Sequence, residues 1–353
     1  MKIKTLHFLT LATTLATSLM GVGQAQTTAT TTPVGYITVT IPGATPPVIP
    51  EVNVAFAVQL YNLSDFQGAV ATVTAPNQFT LTGASFTAGA FATASAPRGV
   101  RIMTGAQQGL LLLVTANTTN QLTVALPSGV TDINQDNLID INDILAVGNT
   151  VQVLPINTFG SLFGTTTPLL MPGETTDDGD VVFLLSKDVS GNDKWLTFWH
   201  NGTNWRRLGT GANQNNTILY PDEGVFIVHR GTSPVTLTMM GTVPSTNEQT
   251  DLFGNGSTFL ANRFPVDIQF VNSGIDTTAN WVKNEDVNLA DKVYLWNTTT
   301  RIWQTYWHNG TNWRRTGSGA NKNTDLIKAG SAVVISRQSP TGAVLTQALP
   351  YTP

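Results

Sequence analysis

Apolar and polar residues alternate with a period of two along much of the chain, and no stretch shows the 3.6-residue period of an amphipathic helix. Val34–Pro42 sets the pattern. Tyr36, Thr38 and Thr40 fall on one side and Ile37, Val39 and Ile41 on the other, with β-branched residues that favour extended backbone. Gly43–Pro50 is a proline-dense break. From Glu51 to Pro155 short strands are expected at Val52–Leu60, Ala69–Val73, Gln78–Leu81, Gly99–Met103, Gly109–Val114 and Gln121–Val124, parted by turn clusters such as Ala75–Asn77 and Asn117–Asn120. The pattern predicts an all-β protein of tandem β-sandwich or β-barrel-like units.

The second half repeats itself. Trp199-His-Asn-Gly-Thr-Asn-Trp-Arg-Arg207 returns 108 positions later as Trp307-His-Asn-Gly-Thr-Asn-Trp-Arg-Arg315. Trp195, Thr197 and Phe198 match Trp303, Thr305 and Tyr306, and Gly209–Asn213 matches Gly317–Asn321. After a short gap, Gly224–Arg230 matches Gly330–Arg337, and Leu162-Phe-Gly164 and Leu252-Phe-Gly254 sit ahead of the two copies. Two copies are too few for a solenoid, so a pair with a pseudo-twofold relation is expected. The expected organisation is a signal peptide at 1–25, a Thr/Pro-rich segment with one strand at 26–50, a β domain at 51–155, and repeat units at 156–243 and 244–353.

Charge changes this picture. Only 11% of residues are charged, and with hydrophobic content at 41% the deficit is filled by neutral polar residues. No basic stripe exists to displace counterions from a phosphate backbone, so nucleic acid is not an expected partner. With no Cys there is no disulfide framework, thiolate zinc site or cysteine nucleophile. Lys2 and Lys4, the apolar run Leu6–Met20 and the small residues Gly23–Ala25 read as a cleavable export signal, leaving a mature chain of charge about −6. No later segment is long and apolar enough for a helical anchor, so the expected location is secreted or at the cell surface, periplasm and outer surface being indistinguishable.

The order of these features resembles a family of secreted paralogues of uncharacterised role known from the Verrucomicrobia. The likeness rests on Val34-Gly-Tyr36, the stretches Val100–Gly105 and Asn117–Val124, Ala146–Thr158 with Leu162–Gly164, and the Trp hairpin followed by Gly224–Arg230. It implies a secreted β-rich protein and carries over no activity and no site residue. The chain departs from the family pattern at Thr131–Asp143, a carboxylate-rich insertion.

That insertion is similar to the calcium loop of dockerin modules and, more distantly, of EF-hands. Asp132, Asn134, Asp136, Asp140 and Asp143 place side-chain oxygens at positions 1, 3, 5, 9 and 12, with Leu138 at position 7, where a backbone carbonyl serves. Asn137 stands where the loop normally has Gly, and no second loop is present. Calcium is therefore the one expected cofactor, as a stiffener between the halves of the chain. The opposing reading is a polar turn rich in Asp and Asn.

The Trp hairpins are the second candidate. In Trp195–His200, Trp195, Thr197 and Trp199 share one face and Leu196, Phe198 and His200 the other, and Asn201-Gly202 reverses the chain. An exposed row of Trp199, Trp205 and Arg206, with Trp307, Trp313 and Arg314, would suit stacking on sugar rings. Packed inside, the same residues would form cation–π pairs and fill a core. Catalytic arrangements are thin. His200 and His308 occupy one repeat position at a hairpin tip, and the paired acids Asp177-Asp178 and Asp222-Glu223 suit solvated turns. The sequence thus points to a non-enzymatic structural or adhesive extracellular protein, with surface proteins or polysaccharide as partners. Glycan binding by the Trp hairpins, calcium-assisted, is the alternative.

Overall fold

The computed structural model describes residues 34–58, 60–127 and 138–352, whose regular structure is nearly all strand, with one short helix at Phe159–Phe163 and a few 3-10 turns. The first strand, β1 (Val34–Ile41), does not stand in a separate N-terminal segment, and the second, β2 (Val52–Ala57), does not join the expected 51–155 domain. Next comes a closed six-stranded antiparallel barrel: β3 (Phe66–Thr74), β4 (Gln78–Leu81), β5 (Arg98–Ile102), β6 (Leu111–Asn117), β7 (Gln121–Val124) and β8 (Thr150–Pro155), in the order β3-β4-β7-β6-β5-β8. Alternate residues point inward, so Phe79, Val100, Leu112, Leu122, Val151 and Val153 fill the interior.

The chain then returns to the body that β1 and β2 began. Its strands are β9 (Asn157–Thr158), β10 (Val181–Lys187), β11 (Asp193–His200), β12 (Trp205–Arg207), β13 (Ile218–Leu219), β14 (Gly224–His229) and β15 (Val235–Thr242). They give a five-stranded sheet β12-β11-β10-β14-β2, with the pair β1-β15 packed over it. The second copy follows as β16 (Glu248–Leu252), β17 (Gly256–Ala261), β18 (Ile268–Gln269), β19 (Lys292–Asn297), β20 (Ile302–His308), β21 (Trp313–Arg315), β22 (Leu326–Ile327), β23 (Ala332–Arg337) and β24 (Ala343–Gln347). Its sheet, β17-β23-β19-β20-β21, and its pair, β16-β24, repeat the first copy strand for strand.

The expected boundaries therefore change. The first unit is made of β1, β2 and β9–β15, and the barrel is inserted between β2 and β9, where the second copy has only Asn262–Asp267. Phe56 decides the assignment of β2: it is fully buried in the first unit's core and pairs with Val225 of β14. Register also removes the expected gap. Val182 pairs with Phe198 and Ile227, and Val293 pairs with Tyr306 and Ile335, so Ile227 corresponds to Ile335 and His229 to Arg337. Leu252-Phe-Gly254 corresponds to Ile41-Pro-Gly43 rather than to Leu162-Phe-Gly164. A Cβ on Gly43 would lie 2.0 Å from the Thr232 carbonyl oxygen and one on Gly254 2.2 Å from that of Pro340, the same close approach in both copies.

The copies meet sheet to sheet, and their contacts are reciprocal. The Ala57 N–H donates to the Gly330 carbonyl and the equivalent Ala261 N–H donates to the Asp222 carbonyl. This is the signature of an isologous, twofold-like interface. Between the sheets lie Ala55, Leu185 and Phe226 from the first copy and Phe259, Val334, Trp296 and Trp303 from the second. The aromatics meet edge-on or tilted, as Trp195 against Phe259 at 5.5 Å and Phe226 against Trp296 at 5.0 Å.

Candidate functional site

The Trp hairpins form as expected but build cores. Phe198 and His200 face inward, and Trp205 beside them is fully buried. Phe159 stacks on Phe198 at 4.6 Å and tilts against Trp205 at 4.9 Å; in the second copy Phe270 meets Tyr306 at 4.4 Å and Trp313 at 4.9 Å. Trp205 and Trp313 therefore offer no face to a sugar, which removes the exposed row. Trp199 and Trp307 are half-buried on the opposite face. Arg206 and Arg314 each donate to a carbonyl of their own turn, Gly211 and Gly319, rather than stacking on Trp. The aromatic that meets an arginine in the second hairpin is Tyr306, 6.0 Å from Arg315.

The histidines are held in place. His200 Nε2 lies 2.6 Å from the Thr165 carbonyl, and its Nδ1 accepts from the Gly202 N–H. His229 Nδ1 lies 2.6 Å from the Asp180 carboxylate, and Nε2 faces the Ser233 carbonyl. Of the expected calcium positions, Asp132, Asn134 and Asp136 lie outside the described residues. Asp140 and Asp143 are buried and cap the short 3-10 turn Ile141–Asp143: Asp140 accepts from the Asn142 N–H and Asp143 from the Asp140 N–H. Their carboxylates are turned onto the backbone of their own turn, and the Leu138 side chain is exposed. Among the described residues no three acidic or histidine side chains converge as a metal site.

Two features of the junction between modules were not expected from the sequence. The first is a buried charge cluster. Glu248 of β16 has no solvent exposure and bridges Arg101 of the barrel and Arg263, which follows β17, with Arg263 Nη1 at 2.8 Å. The Tyr61 hydroxyl donates to Glu248 at 2.5 Å, and the Arg101 guanidinium lies 4.5 Å from the Tyr61 ring. Burial, in the first place, pushes the Tyr61 hydroxyl far up, so it stays a neutral donor. Glu248 corresponds to Ile37 in the first copy, so a core position has become an ionic clasp that ties barrel to second copy.

The second is a cleft of about 550 Å³ walled by the barrel and both copies. The barrel contributes Leu111 and Leu113, outward positions of β6, and Leu126. The first copy contributes Lys187 and the turn Tyr220–Glu223, and the second Asp251, Phe253 and Phe259. The reciprocal Ala261–Asp222 backbone bond fixes the acidic turn against the second copy. Burial and then the charge of Asp222 push the Glu223 carboxyl up to about 8. Burial raises Asp222 too, opposed first by Arg263, and burial next to the two acids pushes Tyr220 up to about 12. Two adjacent, half-buried carboxyls resist ionising together. The sequence does hold a signal for this site: Asp222-Glu223 stands where the duplicate has Gly330-Ser331, a departure between otherwise similar copies.

No family model, curated protein or solved structure matches the chain.

Proposed function

We propose that the protein is an exported, non-enzymatic β protein of the cell surface or extracellular matrix, structural or adhesive in role, that meets its partners as one rigid body. The observation that carries this reading is the locking of its modules. A fully buried Arg–Glu–Arg–Tyr cluster fastens the barrel to the second copy, and a reciprocal aromatic interface fastens the two copies to each other. Such a build resists relative motion. A chain with only 11% charged residues suits close packing against other chains, because self-repulsion is weak. The histidines support the non-enzymatic reading, since His200 and His229 have both ring nitrogens engaged within the fold. The cleft is where such a protein would receive a group from a partner. Calcium at Asp132–Asp143 belongs to this proposal as a stiffener, and calorimetric titration of the mature chain tests it.

Fractionation of the native cells tests the rest. The chain is expected in the surface or extracellular fraction, starting near Gln26, with the purified mature protein adhering to surface polymers or to itself. Recovery from the cytoplasm with Met1 in place would overturn the proposal.

A further inference from the structure

The outer face of the barrel changes character at the cleft. On β7 the outward positions are Gln121 and Thr123, as expected for a wall facing water, but on β6 the outward positions are Leu111 and Leu113, both half-buried and lining the cavity. Opposite them Phe253 of the second copy leaves 36% of its surface uncovered. Three apolar groups from two modules therefore line one cavity and stay partly uncovered by the described chain.

The floor of the same cavity is acidic. Among the described residues neither Asp222 nor Glu223 has an ion pair. The basic side chain that lines the cavity, Lys187, is already paired with Asp193 and lies 5.2 Å from the Phe253 ring. Arg263 influences Asp222 but is committed to Glu248. The cavity thus pairs an apolar wall with carboxyls that lack a cation, at a size common for small-ligand sites.

We propose that the cleft binds a primary ammonium group carried on an apolar stem, with Asp222 and Glu223 receiving the cation and Leu111, Leu113 and Phe253 covering the stem. The proposal deepens the reading of the cleft as the place where a partner's group is received, and rests on it. Docking is coupled to a proton. At neutral pH Glu223 holds one, since its carboxyl is pushed up to about 8, and an arriving ammonium favours the carboxylate, so the proton leaves to solvent as the cation enters. Charge in the cleft is conserved in that exchange. The same chemistry could come from a free alkylamine or from a lysine side chain of a partner protein.

Isothermal titration of the mature chain at pH 7 distinguishes these. The probes are n-hexylammonium, N-acetyl-lysine N-methylamide, hexanol and hexanoate, each in two buffers of different ionisation heat. Binding of either amine, with release of up to about one proton that fades above pH 9, is expected. Hexylammonium alone binding identifies a free amine, and the lysine derivative alone a side chain. Ethylammonium should bind about tenfold or more weakly than hexylammonium, because it leaves the leucine wall bare. Glu223→Gln, an isosteric change, should abolish proton release while leaving the fold intact by circular dichroism. Hexanol or hexanoate binding as tightly as the amines, no binding of either amine, or amine binding without buffer dependence each overturns the proposal. Because cell fractionation is read separately, failure here leaves the exported, adhesive role standing or falling on its own result.

Discussion

Removing the carboxylate of Glu248 tests the clasp between barrel and second copy. The side chain is fully buried, and both guanidiniums it bridges are 1% exposed. In Glu248→Gln the shape survives and the Tyr61 hydroxyl keeps an acceptor, but Arg101 and Arg263 are left facing each other with no shared anion. Breaking a buried pair from one side costs about 3–5 kcal/mol, and here two cations lose the same partner, which puts the loss toward the upper end. Replacing all three charges together, as Arg101→Met, Arg263→Met and Glu248→Leu, should recover most of that loss, since no buried charge then remains. The assay is urea unfolding followed by tryptophan fluorescence, with limited proteolysis reporting release of the barrel. A Glu248→Gln protein within about 1 kcal/mol of wild type would refute the claim that the cluster is dry and holds the modules together.

Other outcomes follow from the same structure. Between about pH 4.5 and 8 the folded chain keeps a proton on Glu223 that the unfolded chain has released, so stability should fall as pH rises through that window and level off above it. The full effect is at most on the order of 5 kcal/mol, reduced by water in the open cleft, and Glu223→Gln should flatten the profile in urea titrations run at several pH values. Trp205→Ala and Trp313→Ala should each cost about 3–5 kcal/mol. Trp205 should cost about 1 kcal/mol more, because its indole N–H donates to the Gly164 carbonyl and that of Trp313 has no partner among the described residues. A chain running from residue 64 to 157, containing only the barrel, should fold cooperatively, read by circular dichroism and thermal melting, since every buried member of its core lies within it and only Val344 packs on from outside.

Strand periodicity made the all-β fold legible, and the verbatim repeat announced the duplication. Both signals are local. What stayed hidden depended on pairing across long separations. Val34–Ile41 reads as a strand, but nothing in its residues says that its partner is Val235–Thr242, so it stood apart as a segment instead of joining the first copy. Alternation also showed that the two faces of Trp195–His200 differ. It could not say which face was buried, and the answer came from Phe159, supplied by the short helix Phe159–Phe163 upstream. The acidic turn at Asp222 looks solvated because Asp and Glu usually are. Its partial burial is imposed by modules that the local sequence does not mention, and the full burial of Glu248 follows from the same cause.

The insertion of the barrel has a consequence for the order of events as the chain is made and folds. Thr38 and Thr238 face each other across β1 and β15 yet lie 200 residues apart, whereas the matching strands of the second copy are about 100 residues apart. The N-terminal strands therefore emerge first and wait longest for their partners. The barrel, whose first and last strands pair with each other at Phe66 and Val153, can close while they wait. Its closure holds the chain entering and leaving it together, as the Asn62 amide donating to the Pro155 carbonyl does in the fold, and shortens the loop that the first copy must still bridge, so the inserted module acts as a staple on the unfolded host.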